Sequence, residues 1–198
     1  MKVNNRLLLV ILGILLTGII IILVVNSDEP VLTESEAEEY EVYSVLIEEQ
    51  FSEKIIVIRD HTLCEDFPDA DLGGMLQAIQ GTMSATEQEV VEDFLVKNGQ
   101  QYPLGKFFKT NSVIIFISDD KVKEIFQGTF RWLEFYVRYP LSQGIMGLSR
   151  VGFNSEMDQA LVYMENVSGS LSGRGVYILL AKENEIWVIQ EMMLAWIS

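Results

Sequence analysis

The sequence predicts an α+β fold: a two-layer domain whose C-terminal antiparallel meander packs on helices, carried behind an N-terminal transmembrane helix. Three observations lead there. From Gly144 onward the chain breaks into short runs, Leu148–Phe153, Ala160–Met164, Gly175–Leu180, Ile186–Ile189 and Leu194–Ser198. They are rich in β-branched and aromatic residues and separated by Gly, Asn, Ser or charges, the pattern of a meander. Upstream, helical faces and strands are segregated from this region and do not alternate strictly with it, which favours α+β over a doubly wound sheet. Finally, residues 7–25 form 19 positions without a charge.

That first segment, Leu7 to Val25, is long enough as a helix to cross a hydrocarbon core. Lys2 and Arg6 precede it, and Asp28 and Glu29 follow. The positive flank is expected to stay cytoplasmic, which places the remainder outside. The run is longer than the apolar region of a cleaved signal peptide and lacks a small-x-small end. Residues 1–27 therefore read as a signal anchor, 28–34 as a linker around Pro30, and 35–198 as an extracytoplasmic domain. The lipid bilayer is the expected partner of residues 7–25.

Within the domain, Tyr40, Tyr43, Ile47 and Phe51 share one helical face over residues 35–51. Ile55–Ile58 reads as a well-buried strand. An irregular stretch from Leu63 follows, with a short helix at Met75–Gln80. Ser84 with Glu87 has the spacing of a capping box for a helix faced by Val90, Val91, Phe94 and Leu95, ending at Asn98-Gly99. Val113–Ile117 reads as a second well-buried strand. Ser118 is placed to cap a helix over Asp119–Phe126, with two aspartates suited to the helix dipole. Trp132, Phe135, Tyr136 and Tyr139 then form an aromatic face that Pro140 ends. Within the meander, Val176–Ala181 is apolar on both faces. One face is expected to meet helices, the other the 99–117 segment, a curled sheet or a second molecule.

Charge limits the function. Residues 28–198 carry 12 basic and 29 acidic side chains, a net of −17. Nucleic acid and anionic membrane surfaces demand the opposite sign. The single cysteine, Cys64, rules out an intrachain disulfide, so the core must hold the fold.

Few residues suggest chemistry. His61 is the only histidine, so a site with several imidazoles is impossible. Asp60 precedes it, but neighbours at a strand end are expected to diverge, which weakens a triad built on this pair. Asp69-Ala-Asp71-Leu-Gly-Gly74 resembles the opening of a calcium loop, yet its twelfth position is Gln80 where a bidentate Glu is needed. Gly169-Ser-Leu-Ser-Gly-Arg-Gly175 reads as a hairpin turn or bulge, with room for close backbone approach. Arg150 and Arg174 are expected to pair with acids. No phosphate-binding glycine loop is present, and no cofactor is implied.

Tyr139-Pro-Leu-Ser-Gln-Gly144, Ser149-Arg-Val-Gly-Phe-Asn154, Gln159-Ala-Leu-Val-Tyr163 and Gly175–Leu180 with Trp187 resemble segments of a group of bacterial exported and membrane-anchored proteins with no assigned activity. The resemblance spans residues 35–198. It implies a bacterial source and transfers no functional residue. The helix-and-meander order is also similar to cystatin-like and nuclear-transport-factor-2-like folds, which host both enzymes and binding modules.

The expectation is a non-catalytic binding or interaction module at the cell membrane, its partner a protein or a second copy meeting the sheet face. The alternatives are a hydrolase using Asp60 and His61, or a calcium-dependent module using Asp69 and Asp71.

Overall fold

The structure, a computed structural model, describes residues 32–64 and 72–198. The expected span Leu7–Val25 and the loop residues Asp69 and Asp71 lie outside them. Among the described residues no helix is long and apolar enough to cross a membrane.

The elements run α1 (Glu34–Gln50), β1 (Ile55–Arg59), α2 (Leu72–Thr82), α3 (Gln88–Lys97), β2 (Val113–Ile117), α4 (Asp119–Gln127), α5 (Arg131–Arg138), β3 (Ser142–Leu148), β4 (Gly152–Phe153), β5 (Gln159–Gly169), β6 (Ser172–Glu183) and β7 (Ile186–Ile197). The fold is α+β, as expected. One mixed sheet has the order β2-β1-β3-β5-β6-β7, with β4 pairing beside β5. β1 runs parallel to β2 and β3, whereas β3, β5, β6 and β7 are antiparallel. Thus β5–β7 form the anticipated meander, and β1–β2 extend it through crossovers.

Alternation along the strands sorts their side chains onto two faces. One face carries Val57, Ile117 and Ile145, which pack with Ile125 of α4 and Phe135 of α5. On the same face, Leu161, Tyr163 and Leu179 pack with Ile79 of α2 and Val90, Val91 and Phe94 of α3. The opposite face belongs to α1. Its Tyr43 hydroxyl reaches the Ser149 carbonyl, and its Glu38 accepts from Trp187 Nε1. Helices therefore cover both faces, which corrects the expected two-layer build. The two-sided apolar strands required a second cover, and it comes from the helix most remote in sequence.

α1 is buried widely around its circumference, at Tyr40, Val42, Tyr43, Leu46 and Ile47. The reason is a strap, residues 103–112, laid along its outer side. Gly105 N donates to the Tyr40 hydroxyl, Lys109 N to Ser44 Oγ and Asn111 N to Glu48. Phe107 and Phe108 pack on the Tyr40 ring.

Two local expectations change and a third holds. β2 is an edge strand, so Val113 is 60% exposed and only Ile117 is fully buried. Ser84 and Glu87 form no capping box: α3 starts later, with Glu87 itself at the N-cap and no side-chain cap bond. Ser118 does cap α4, accepting from Lys121 N at 3.2 Å.

Bulges adjust the sheet. In β3, Gln143 and Gly144 together oppose one residue of β1. The Gln143 amide substitutes for the interrupted ladder, accepting from Val57 N at 3.0 Å and donating to Val57 O at 2.9 Å. Gly144 has φ +111, where a side chain would collide with the Val167 carbonyl. In β7 the pairs Leu180↔Ile189 and Leu179↔Glu191 leave Gln190 extra, and Val176↔Leu194 with Gly175↔Trp196 leave Ala195 extra.

Candidate functional site

Asp60 and His61 close β1. Leu104 N donates to the Asp60 carbonyl and Thr62 N to the Tyr102 carbonyl, so the strap clips onto this corner. Contrary to expectation the two side chains do not diverge: His61 Nδ1 lies 2.9 Å from Asp60 Oδ1. Both are solvent-facing, with 49% and 34% of their side chains exposed. Such a pair orients an imidazole but gives it no shelter from water.

Arg150 does not join them. Its guanidinium forks onto Glu39 of α1, with Nε 3.1 Å from Oε2 and Nη2 bonded to Oε1. It also stacks 4.2 Å above the Tyr102 ring. Glu39 is nearly buried, and its Oε2 lies 3.2 Å from the Tyr43 hydroxyl. Burial, reinforced by the charge of Glu39, raises the Tyr43 pKa well above the usual tyrosine value. Burial disfavours the Arg150 charge, but the bonds and charge of Glu39 outweigh that and raise its pKa. Every charge here is answered, so the cluster locks α1 to the Ser149–Val151 corner. Among the described residues Arg174 pairs with no acid: its Nη2 donates to Gln50 Oε1 at 3.1 Å.

Among the described residues no group of three His, Cys, Asp or Glu side chains could hold a metal ion.

Among the described residues the helices leave part of the sheet open. Beside the α2–α3 cluster, Tyr163, Glu165, Tyr177, Met193 and Trp196 line a hollow of about 720 Å³ on β5–β7. Its shape comes from backbone details. Gly173 and Gly175 have no side chains, so the Trp196 ring lies against them; a Cβ at Gly175 would collide with Trp196 Nε1 and the Tyr163 hydroxyl. The Ala195 bulge keeps Trp196 on this face, where its Nε1 donates to the Tyr163 hydroxyl at 2.6 Å. Tyr163 and Tyr177 sit 5.1 Å apart, and Tyr177 braces on Phe94 of α3 at 6.1 Å. Burial raises the Tyr177 pKa, so its phenol is neutral.

Glu165 supplies the charge. Its side chain is 12% exposed, with Oε1 3.9 Å from Arg59 Nε. Arg59 also bonds Asp119 at 2.5 Å, so one guanidinium serves two carboxylates.

The sequence did not single out this group. The available signals were the two-sided apolar strands and the Gly169–Gly175 passage. The hairpin turn proper is confined to Gly169–Ser172, and Gly173 and Gly175 serve the close approach of Trp196. No protein-family model, curated protein or solved structure matches the chain, so its own geometry carries the functional reading.

Proposed function

We propose that the chain is a non-catalytic binding module, tethered to the bacterial cell membrane by residues 7–25, with its N-terminus cytoplasmic and residues 35–198 outside. The hollow on β5–β7 is where it binds. One observation carries this: among the described residues, a hollow lined by three aromatic rings, Glu165 and the apolar Met193–Ala195 segment is left open on a sheet whose helices pack a core elsewhere. Its volume lies in the range of small-ligand sites, about 300–1,000 Å³. The exposed Asp60–His61 pair gives much weaker support to a hydrolase.

A second reading rests on a separate feature. β7 is an outermost strand of 12 residues, with Ile186, Met192, Leu194 and Ile197 exposed and only one charged residue, Glu191. Such an edge suits strand addition by a protein partner or a second copy.

The test is thermal unfolding of the full chain in dodecyl maltoside against a panel of small metabolites. A ligand at a hundred times its Kd adds about 2.7 kcal/mol, which raises Tm by about 2–4 °C per kcal/mol for a domain of this size. Met193→Trp, which fills the hollow, is expected to abolish these shifts. Shifts that survive in the variant would place binding elsewhere.

A further inference from the structure

Independently of the hollow, we infer that the outer face of α5 seats a second copy of this chain, packed antiparallel about a two-fold axis. α5 is apolar on both sides. Phe135 turns inward with Trp132, Tyr136 and Tyr139 and packs on the sheet and α4. Leu133 and Val137, one turn apart on the other side, are 63% and 74% exposed. Phe130, just before the helix, and Leu141, shortly after it, are 69% and 84% exposed. Solvent-facing apolar side chains that fall in a row, unlike scattered ones, mark a contact surface.

Charge says which partner this row fits. Residues 28–198 carry −17, so two copies repel each other wherever their acidic surfaces meet. Residues 119–141 hold four basic and four acidic side chains, a net of zero, so copies approach here without that repulsion. The charges also set the register. Glu134 and Arg138 border the row, each one residue on from Leu133 and Val137. They bond each other within the helix at 2.8 Å, yet keep 34% and 39% of their side chains exposed. In an isologous contact a patch meets itself. A two-fold axis crossing α5 midway between Leu133 and Val137 sets Leu133 on the partner's Val137, and Val137 on the partner's Leu133. The same axis keeps the charged flank on one side in both copies. Glu134 then comes beside the partner's Arg138, and Arg138 beside the partner's Glu134. A parallel pairing would set Glu134 on the partner's Glu134 and Arg138 on the partner's Arg138, which like-charge repulsion disfavours.

Sedimentation velocity of the full chain in dodecyl maltoside, over a range of concentrations, tests this. The unsubstituted chain is expected to show a monomer–dimer equilibrium. Leu133→Glu and Val137→Glu, both at exposed positions, should each weaken the dimer about a hundredfold and leave Tm unchanged. Glu134→Arg and Arg138→Glu should each weaken it about tenfold alone. Mixed in equal amounts, these two variants should recover the original affinity, because opposite charges then meet across the axis. Such crossed rescue separates this contact from pairing through residues 7–25 or along the β7 edge. A dimer indifferent to all four substitutions would overturn the proposal. A chain that stays monomeric at every concentration would overturn it too, and leave the row to a bilayer or another protein. Neither result bears on binding in the hollow, which the metabolite panel reports.

Discussion

The two faces of the sheet use similar residues to opposite ends. On the α1 face, Glu39, Arg150, Tyr43 and Tyr102 combine two charges with two aromatic rings. On the other, Glu165, Arg59, Tyr163, Tyr177 and Trp196 offer the same kinds of group. The first set is closed over by a helix and its strap, and every charge is paired. The second lies where the helix pairs stop short, and its rings line open space. Composition does not separate a structural lock from the proposed binding surface; coverage does.

The largest effect expected from breaking this comparison is on the closed side. Glu39→Ala leaves the Arg150 guanidinium, with 12% of its side chain exposed, without its partner. A loss of about 3–5 kcal/mol is expected in urea unfolding. A loss below 1 kcal/mol would mean that the pair is hydrated and locks nothing.

Gly175→Ala comes next and acts on the open side. The added methyl displaces Trp196 from its bond to Tyr163. Overpacking of this kind costs about 1–3 kcal/mol. Tryptophan emission should shift to the red as the indole becomes solvated, and unchanged emission would contradict the close approach.

The smallest effect appears only in alkali. The Tyr43 pKa is raised in the folded state, so the fold holds the neutral phenol. This contribution is fully present below the ordinary tyrosine value, about 10. It is lost as pH rises through that value towards the raised one. Tyr43→Phe should flatten the decline in stability above about pH 10, whereas Tyr177, on the open side, has a more modest shift and should contribute less. An identical alkaline decline in Tyr43→Phe would disprove this assignment.

Local signals in the sequence were legible. The runs Ala160–Met164 and Gly175–Leu180, the Ser118 cap and the aromatic face of α5 depend on neighbours a few residues away, and each is where the spacing places it, whereas Leu148–Phe153 is a corner between β3 and β4 and the last two runs merge into β7. Long-range partners were not. Glu39 and Arg150 are 111 residues apart, so a buried pair looked like two ordinary surface charges. The excess of apolar strand faces announced that a second cover was needed, but nothing local designated α1. Ser84 and Glu87 carried a capping box that α3 does not use, because the chain between them forms a turn in which Thr86 N donates to Met83 O. The candidate site was hidden for a related reason. Trp196 and Tyr163 meet only because β7 carries an extra residue at Ala195, and alternation alone cannot reveal a bulge.

Those two extra residues make β7 a matter of parity. Trp187 faces α1 and Trp196 faces the hollow, with Gln190 and Ala195 both intervening. Each insertion reverses the in–out alternation beyond it, and the pair restores it. Loss of one residue would turn everything downstream over, carrying the indole from one side of the sheet to the other. Loss of both would shorten the strand and leave its sidedness intact. Along this edge, whether the number of residues is odd or even matters as much as which residues they are.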